Sequence, residues 1–180
     1  MLLVIDIGNT NAVLGLYAGE TLQHHFRVES SKSRTSDEYA VALRALLAMK
    51  DVAPADVRAS AIACVVPALQ ETFVRVVRDS FGHEPLVVGP GIKTGMAIQY
   101  DQPREVGADR IVNAVAAYER VKAGVIVVDF GTATTFDVIS PKGEYLGGVI
   151  SPGVQISADA LFSRAAKLPR VEIARPPKVL

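Results

Sequence analysis

Short apolar runs alternate with glycine, proline and polar clusters along the whole chain, and the spacing within each run predicts its element. Leu2 begins an apolar run that meets a carboxylate at Asp6, turns through Gly8, Asn9, Thr10 and Asn11, and resumes an extended pattern over 12–17. A third strand is expected over 21–28, entered through the turn Gly19-Glu20. The polar, basic stretch 30–36 reads as a loop that ends at a helix start. Thr35 with Glu38 has the spacing of a capping box. Tyr39, Leu43, Leu46 and Leu47 then fall on one helical face, and the helix is expected to run to about Lys50, before the break at Pro54. A buried strand is expected over 59–66. Pro67 suits the first residue of a helix carrying Leu69, Phe73, Val76, Val77 and Phe81, which Gly82 ends. Leu86 to Val88 supplies one more strand.

The resulting order is strand, strand, strand, helix, strand, helix, strand, which is that of a ribonuclease-H-like half-domain with a mixed sheet. A connector rich in glycine and proline follows at 89–105, then a helix over 106–122 with Ile111, Val115, Tyr118 and Val121 on one face and Gly124 at its end. There the pattern restarts. Val125 to Thr132 (VIVVDFGT) echoes Leu2 to Asn9 (LLVIDIGN), with both Asp-x-Gly pairs in register, and Gly143-Glu144 nearly matches Gly19-Glu20. The second copy predicts strands at 125–130, 134–140 and 145–150 and a helix over 154–166. Pro169, Pro176 and Pro177 argue against a regular tail, and nothing there matches 59–88. The fold expected is α/β: two ribonuclease-H-like half-domains with mixed sheets, the second incomplete, divided as 1–105 and 106–180.

Composition narrows the function classes. Lys plus Arg equals Asp plus Glu at 19 each, so the chain has no net charge to favour nucleic acid or a membrane surface, and neither partner is expected. The single cysteine, Cys64, excludes an intrachain disulfide and a cysteine metal cluster, and its apolar run suggests a buried, inert thiol. No apolar run reaches bilayer-spanning length and no signal-peptide pattern leads the chain, so a cytoplasmic location is expected. His24, His25 and His83 lack metal-ligand spacing. Ser151 and Ser157 lie in no nucleophile elbow, and Gly8 belongs to no GxGxxG or Walker loop.

The remaining chemistry sits at the turns. An acidic residue ending a buried strand is costly without a partner, while a neighbouring glycine lets a ligand approach backbone N–H groups. Alone, the first hairpin reads equally well as an ordinary turn capped by Asp and Asn. Two such hairpins in repeated halves favour a cleft for a nucleotide polyphosphate, with Asn9, Thr10, Thr132 and Thr134 as polar side chains and carboxylates near magnesium. Gly147-Gly148 through Gly153, before the last helix, admits two readings: close approach of a ligand, or a strand-to-helix turn needing glycine sterically. Gly107-Ala108-Asp109-Arg110 opens the middle helix. Asp109 is explained by the helix dipole, or by a general base beside an arginine that anchors a substrate carboxylate.

DIGNTNAVLG (6–15), GADRIVNA (107–114), DFGTATTFD (129–137) and GGVISPG (147–153), together and in this order, resemble type III pantothenate kinase, of the acetate-kinase, sugar-kinase, Hsp70 and actin superfamily. GADR followed by DFGTATT is the specific part; the hairpins are shared across the superfamily. The resemblance implies ATP-dependent phosphorylation of pantothenate, the first step toward coenzyme A. It implies ATP binding by Asp6, Ile7, Gly8, Asn9, Thr10, Asn11, Ala12, Val13 and Thr132, with Asp6 near magnesium. It implies pantothenate binding by Tyr100, Gly107, Ala108, Asp109 and Arg110, with Asp109 as proton acceptor. It further implies a potassium or ammonium ion at Asp129 and a homodimer. Family members are longer by roughly a further third, and a polypeptide ending at Leu180 is expected to be poorly soluble and inactive through exposed sheet edge and apolar helix face. The alternatives are another phosphotransferase or phosphatase of the superfamily, or a nucleotide-binding regulator without kinase activity.

Overall fold

The computed structural model describes residues 1–89, 92–165 and 172–175. The chain divides into two compact units, one of residues 1–96 with 101–115 and the other of residues 97–100 with 116–180.

The first unit contains β1 (Leu2–Ile7), β2 (Asn11–Ala18), β3 (Thr21–Glu29), α1 (Ser36–Ala48), β4 (Ala59–Cys64), α2 (Pro67–Phe81) and β5 (Leu86–Val88). Its sheet has the order β3-β2-β1-β4-β5, antiparallel across β1–β3 and parallel from β1 through β4 to β5. This is the ribonuclease-H-like arrangement expected. Alternation along β1 organises the unit. Leu3, Ile5 and Ile7 are at most 2% exposed and pair with Leu16, Leu14 and Ala12, giving one apolar sheet face. That face packs with Tyr39, Leu43 and Leu47 of α1 and Leu69, Phe73, Val76 and Val77 of α2. Each such side chain contributes about 1.5–3 kcal/mol on burial. A period of two sends Val4 and Asp6 to the opposite face.

Helix ends follow the sequence signals. Pro67 opens α2, and Gly82 closes it in the left-handed region at φ 72°. At α1 the capping box forms: Thr35 N donates to Glu38 Oε2 at 2.7 Å, and Glu38 N donates to Thr35 Oγ1 at 3.3 Å. Tyr39, one position on, packs against Phe73 in a tilted ring pair with centroids 4.6 Å apart and planes at 43°. Its hydroxyl donates to Glu29 O at 3.0 Å and accepts from Ser31 N at 2.8 Å, so the helix is tied to the end of β3.

The second unit contains β6 (Ala97–Ile98), the end of α3 (Ala108–Val121, which begins in the first unit), β7 (Val125–Phe130), β8 (Ala133–Ile139), β9 (Glu144–Pro152) and α4 (Val154–Arg164). Its sheet has the order β6-β9-β8-β7. The β7–β8–β9 meander repeats β1–β2–β3, as the echo in the sequence led one to expect. The strand β6 corrects the connector reading, because Ala97 and Ile98 pair in parallel with Glu144 and Tyr145 of β9. Two residues carry no period, so only the distant partner reveals them. Ala166 and the prolines Pro169, Pro176 and Pro177 lie outside the described residues. Pairing puts Ile126, Val128, Phe136, Val138 and Val149 on one face with Phe130, and all six are exposed, Phe130 at 75%. The opposite face holds Tyr145 and Ile139, at 1% and 2% exposure, with the carboxylate of Asp137 accepting the Tyr145 hydroxyl at 2.6 Å. Among the described residues no helix is long and apolar enough to cross a membrane.

The hydrogen bonds from Thr35 hold the Glu38 carboxyl below its ordinary pKa of 4.5. A depressed folded-state pKa adds stability that is present above the ordinary value and lost as pH falls through the folded value. Glu38→Gln is therefore expected to lower the melting temperature at neutral pH, with the gap to the parent closing as pH falls below 4.5. Thermal melts across pH 2.5–7 check this, ~0.5 unit steps being fine enough to resolve one carboxylate.

Candidate active site

The first hairpin is built by backbone. Gly8 N donates to Asn11 O at 3.0 Å, closing the turn between β1 and β2. A side chain at residue 8 would bring its Cβ to 3.2 Å from Asn11 O, so glycine keeps this turn tight. Ile7 and Ala12 are fully buried, and any ligand contact from them is through backbone. Asp6, Asn9 and Thr10 are exposed, and Gly8, Asn11 and Val13 are half-buried. Thr10 O accepts from Ser30 N at 2.9 Å, and Ser31 next to it is bonded to the Tyr39 hydroxyl, so the turn is braced from α1 through β3.

The C-terminal end of β4 lies beside this hairpin, with Val65 N donating to Ile7 O at 3.0 Å. Cys64 is half-buried rather than buried, because it ends its strand where the sheet opens. Burial, together with the nearby Asp6 carboxylate, pushes its thiol pKa up and keeps it neutral. On its other side Cys64 lines a cavity of about 290 Å³ at the C-terminal ends of β4 and β5. Val65, Gln70, Arg104, Gly107 and Ala108 also line it. Parallel strands in open α/β sheets present their ligand sites at this end.

The start of α3 forms one wall. Gly107 O accepts from Ile111 N at 3.2 Å, and Asp109 Oδ1 accepts from the backbone N of Arg110 at 2.7 Å. The Asp109 carboxylate thereby turns back over its own helix start. A Cβ at residue 107 would lie 2.5 Å from Asp109 Oδ1, so only glycine leaves the carboxylate where it is. Asp109 and Arg110 are both half-buried.

In the second unit, Gly131 N donates to Ala133 O at 2.9 Å and closes the β7–β8 turn. Asp129 and Thr132 are exposed on it. Gly153 N donates to Thr132 O at 3.0 Å, and a Cβ at 153 would meet the carbonyl oxygens of Gly131 and Thr132 at 2.4 Å. The sequence motif ending at Gly153 therefore has a steric reason within this unit: α4 starts directly against the second turn. Tyr100, 42% exposed, lies just after β6 with its ring against Gly147.

Within the first unit, Ile7 of the hairpin pairs with Cys64, and Gly107 and Ala108 line the cavity that Cys64 also lines; Tyr100, Asp129 and Thr132 belong to the second unit. Sequence reasoning missed Cys64, Gln70 and Arg104 as cavity residues. Arg104 sat in a stretch read as connector, and Gln70 lies on α2 outside the apolar residues that defined that helix. Among the described residues no group of three or more His, Cys, Asp or Glu side chains gathers as a metal cluster.

Comparison with known proteins adds the family. The profile of type III pantothenate kinase matches residues 2–180. The chain is 59% identical to the type III pantothenate kinase of Myxococcus xanthus over all 180 residues, which span 70% of that protein. It is 60% identical to that of Anaeromyxobacter sp. strain K, again over the whole chain and 71% of the relative. Among solved structures, a Baf family protein from Campylobacter jejuni is similar in fold at TM-score 0.54 and 22% identity, covering 98% of this chain and 68% of that one. The hairpins, the GADR helix start and these matches agree, and the chain belongs to the type III pantothenate kinase family.

Proposed function

We propose that this chain transfers the γ-phosphoryl group of ATP to the primary hydroxyl of pantothenate, the first step of coenzyme A biosynthesis, with Asp109 as the proton acceptor. Membership of a kinase family supports the reaction and its two substrates. The observation that carries the residue assignment is the cavity whose wall is Gly107 and Ala108, immediately before the fixed carboxylate of Asp109. The acceptor is bound by Gly107, Ala108, Asp109 and Arg110, with the Arg110 guanidinium on its carboxylate, and Tyr100 is a further acceptor-binding residue. The hydroxyl oxygen attacks the γ-phosphorus, its proton passes to Asp109, and the bond to the bridging oxygen breaks to release ADP.

ATP is held by Asp6, Ile7, Gly8, Asn9, Thr10, Asn11, Ala12 and Val13, with Thr132 contributing from the second hairpin. Ile7 and Ala12 act through backbone because their side chains are buried in the sheet core. The donor set fits magnesium: one exposed carboxylate, Asp6, beside a phosphate-binding turn is what this ion takes together with phosphate oxygens and water. When bound, the ion neutralises charge on the phosphates. Asp129, an exposed oxygen donor at the end of β7, suits a potassium or ammonium ion. The enzyme works as a cytoplasmic homodimer, its half-domains divided as 1–105 and 106–180.

Asp109→Asn in the intact enzyme is expected to lower kcat by about 100- to 10,000-fold while ATP binding is retained. A coupled ADP-release assay and calorimetric titration with ATP measure the two effects, and normal turnover of the variant would remove Asp109 from the reaction. Gly107→Ala displaces the same carboxylate without removing it, and kcat is expected to fall by about 100-fold. An unchanged kcat would show that the carboxylate has no fixed position to lose.

A further inference from the structure

We infer that a bulge in β9 is the seat that fixes the ring of Tyr100, making Gly147 and Tyr145 positioning residues of this enzyme; the inference rests on Tyr100 contacting pantothenate. Between β8 and β9 the register shifts: Val138 pairs with Gly147 and Ile139 with Tyr145, leaving Leu146 as the extra residue. Bulges of this kind bend a strand and re-aim neighbouring side chains. Gly147 follows the extra residue at φ 116°, a backbone conformation that side chains with a Cβ rarely adopt.

The space left by the missing side chain is filled by Tyr100. A Cβ at residue 147 would lie 3.2 Å from Tyr100 Cδ2 and 3.5 Å from Cε2, so the ring rests on the glycine backbone. The segment carrying Tyr100 is fixed from the same bulge. Ile98 pairs with Tyr145, and Gln99 N donates to Tyr145 O at 2.8 Å. Tyr145 is itself immobilised, at 1% exposure, by its hydroxyl bond to the buried carboxylate of Asp137 at 2.6 Å. Thr135 Oγ1 donates to the other carboxylate oxygen of Asp137 at 3.4 Å. One face of Tyr100 thus has a floor and its backbone an anchor, yet 42% of the residue stays open to a ligand. An exposed aromatic ring held this firmly presents a fixed apolar surface at little entropic cost. This gives Gly147 of β9 a role in binding that acts through Tyr100.

The test is a cycle of Tyr100→Ala, Gly147→Ala and the double variant in the intact enzyme, with KM for pantothenate and for ATP from ADP release and a melting temperature for each. Each single variant is expected to raise the pantothenate KM by about 10- to 100-fold with the ATP KM unchanged. The double variant is expected to match Tyr100→Ala, because a seat has no effect once the ring is gone. A Gly147→Ala enzyme with an unchanged pantothenate KM, beside a Tyr100→Ala enzyme that has lost affinity, overturns the inference alone. Penalties that add in the double variant also overturn it, since Gly147 would then act by another route. A Tyr100→Ala enzyme with normal pantothenate KM overturns both this inference and the assignment of Tyr100 to the acceptor. Where Gly147→Ala does not fold, Tyr145→Phe runs the same cycle. Its KM effect is expected in the presence of Tyr100 and absent without it, and an effect that persists in the Tyr100→Ala background overturns the inference.

Discussion

The period-two alternation of β1 is the constraint on which the first half of the molecule depends. Ile5 and Ile7 enter the core at 2% and 0% exposure, and the pleat then leaves Asp6 no choice but the opposite, open face. A carboxylate is thereby delivered to the end of a central strand without being buried, which would cost several kcal/mol. In the first unit packing and chemistry are thus separated by strand geometry: one face stabilises, the other carries the carboxylate. The alternation recurs along β7 with the faces used differently, since Val128 and Phe130 are exposed and Asp129 shares its face with the buried Asp137 and Tyr145.

The second constraint is shorter in range. Asp109 is fixed not by a distant partner but by the peptide N–H that follows it and by the absence of a side chain two residues before it. A helix start favours a negative charge through its dipole, and the glycine converts that preference into a defined position. Cys64 lies between the Asp6 hairpin and the cavity beside this helix start, its neutral thiol a small, apolar filler rather than a nucleophile. Within this unit, Cys64 links the two features: it pairs with Ile7 of the hairpin and lines a cavity together with Gly107 and Ala108.

Legibility in the sequence followed the range of the interaction. The strands β1 to β5 and helices α1 and α2 were readable because alternation, the Thr35–Glu38 box, Pro67 and Gly82 are all local signals. The echo of Asp6-Ile7-Gly8 at Asp129-Phe130-Gly131 made the repeated meander readable as well. β6 was not, since Ala97 and Ile98 become a strand only through β9. The steric strand-to-helix turn at Gly153 was one of the two readings of its motif, whereas the contact at Gly147 was not readable, because the Tyr100 ring is remote in sequence. Candidate site residues on the hairpins and at GADR could be named in advance, while the roles given to them came from family resemblance. The cavity lining of Gln70 and Arg104 had no local signature at all.

The most direct measurement is a crystal structure of the intact enzyme with pantothenate and a non-hydrolysable ATP analogue. Pantothenate density is expected along Gly107 and Ala108, with the primary hydroxyl about 2.6–3.2 Å from an Asp109 carboxylate oxygen and facing the γ-phosphate. Pantothenate bound away from this cavity, with Asp109 out of hydrogen-bonding reach of the hydroxyl, would contradict that expectation.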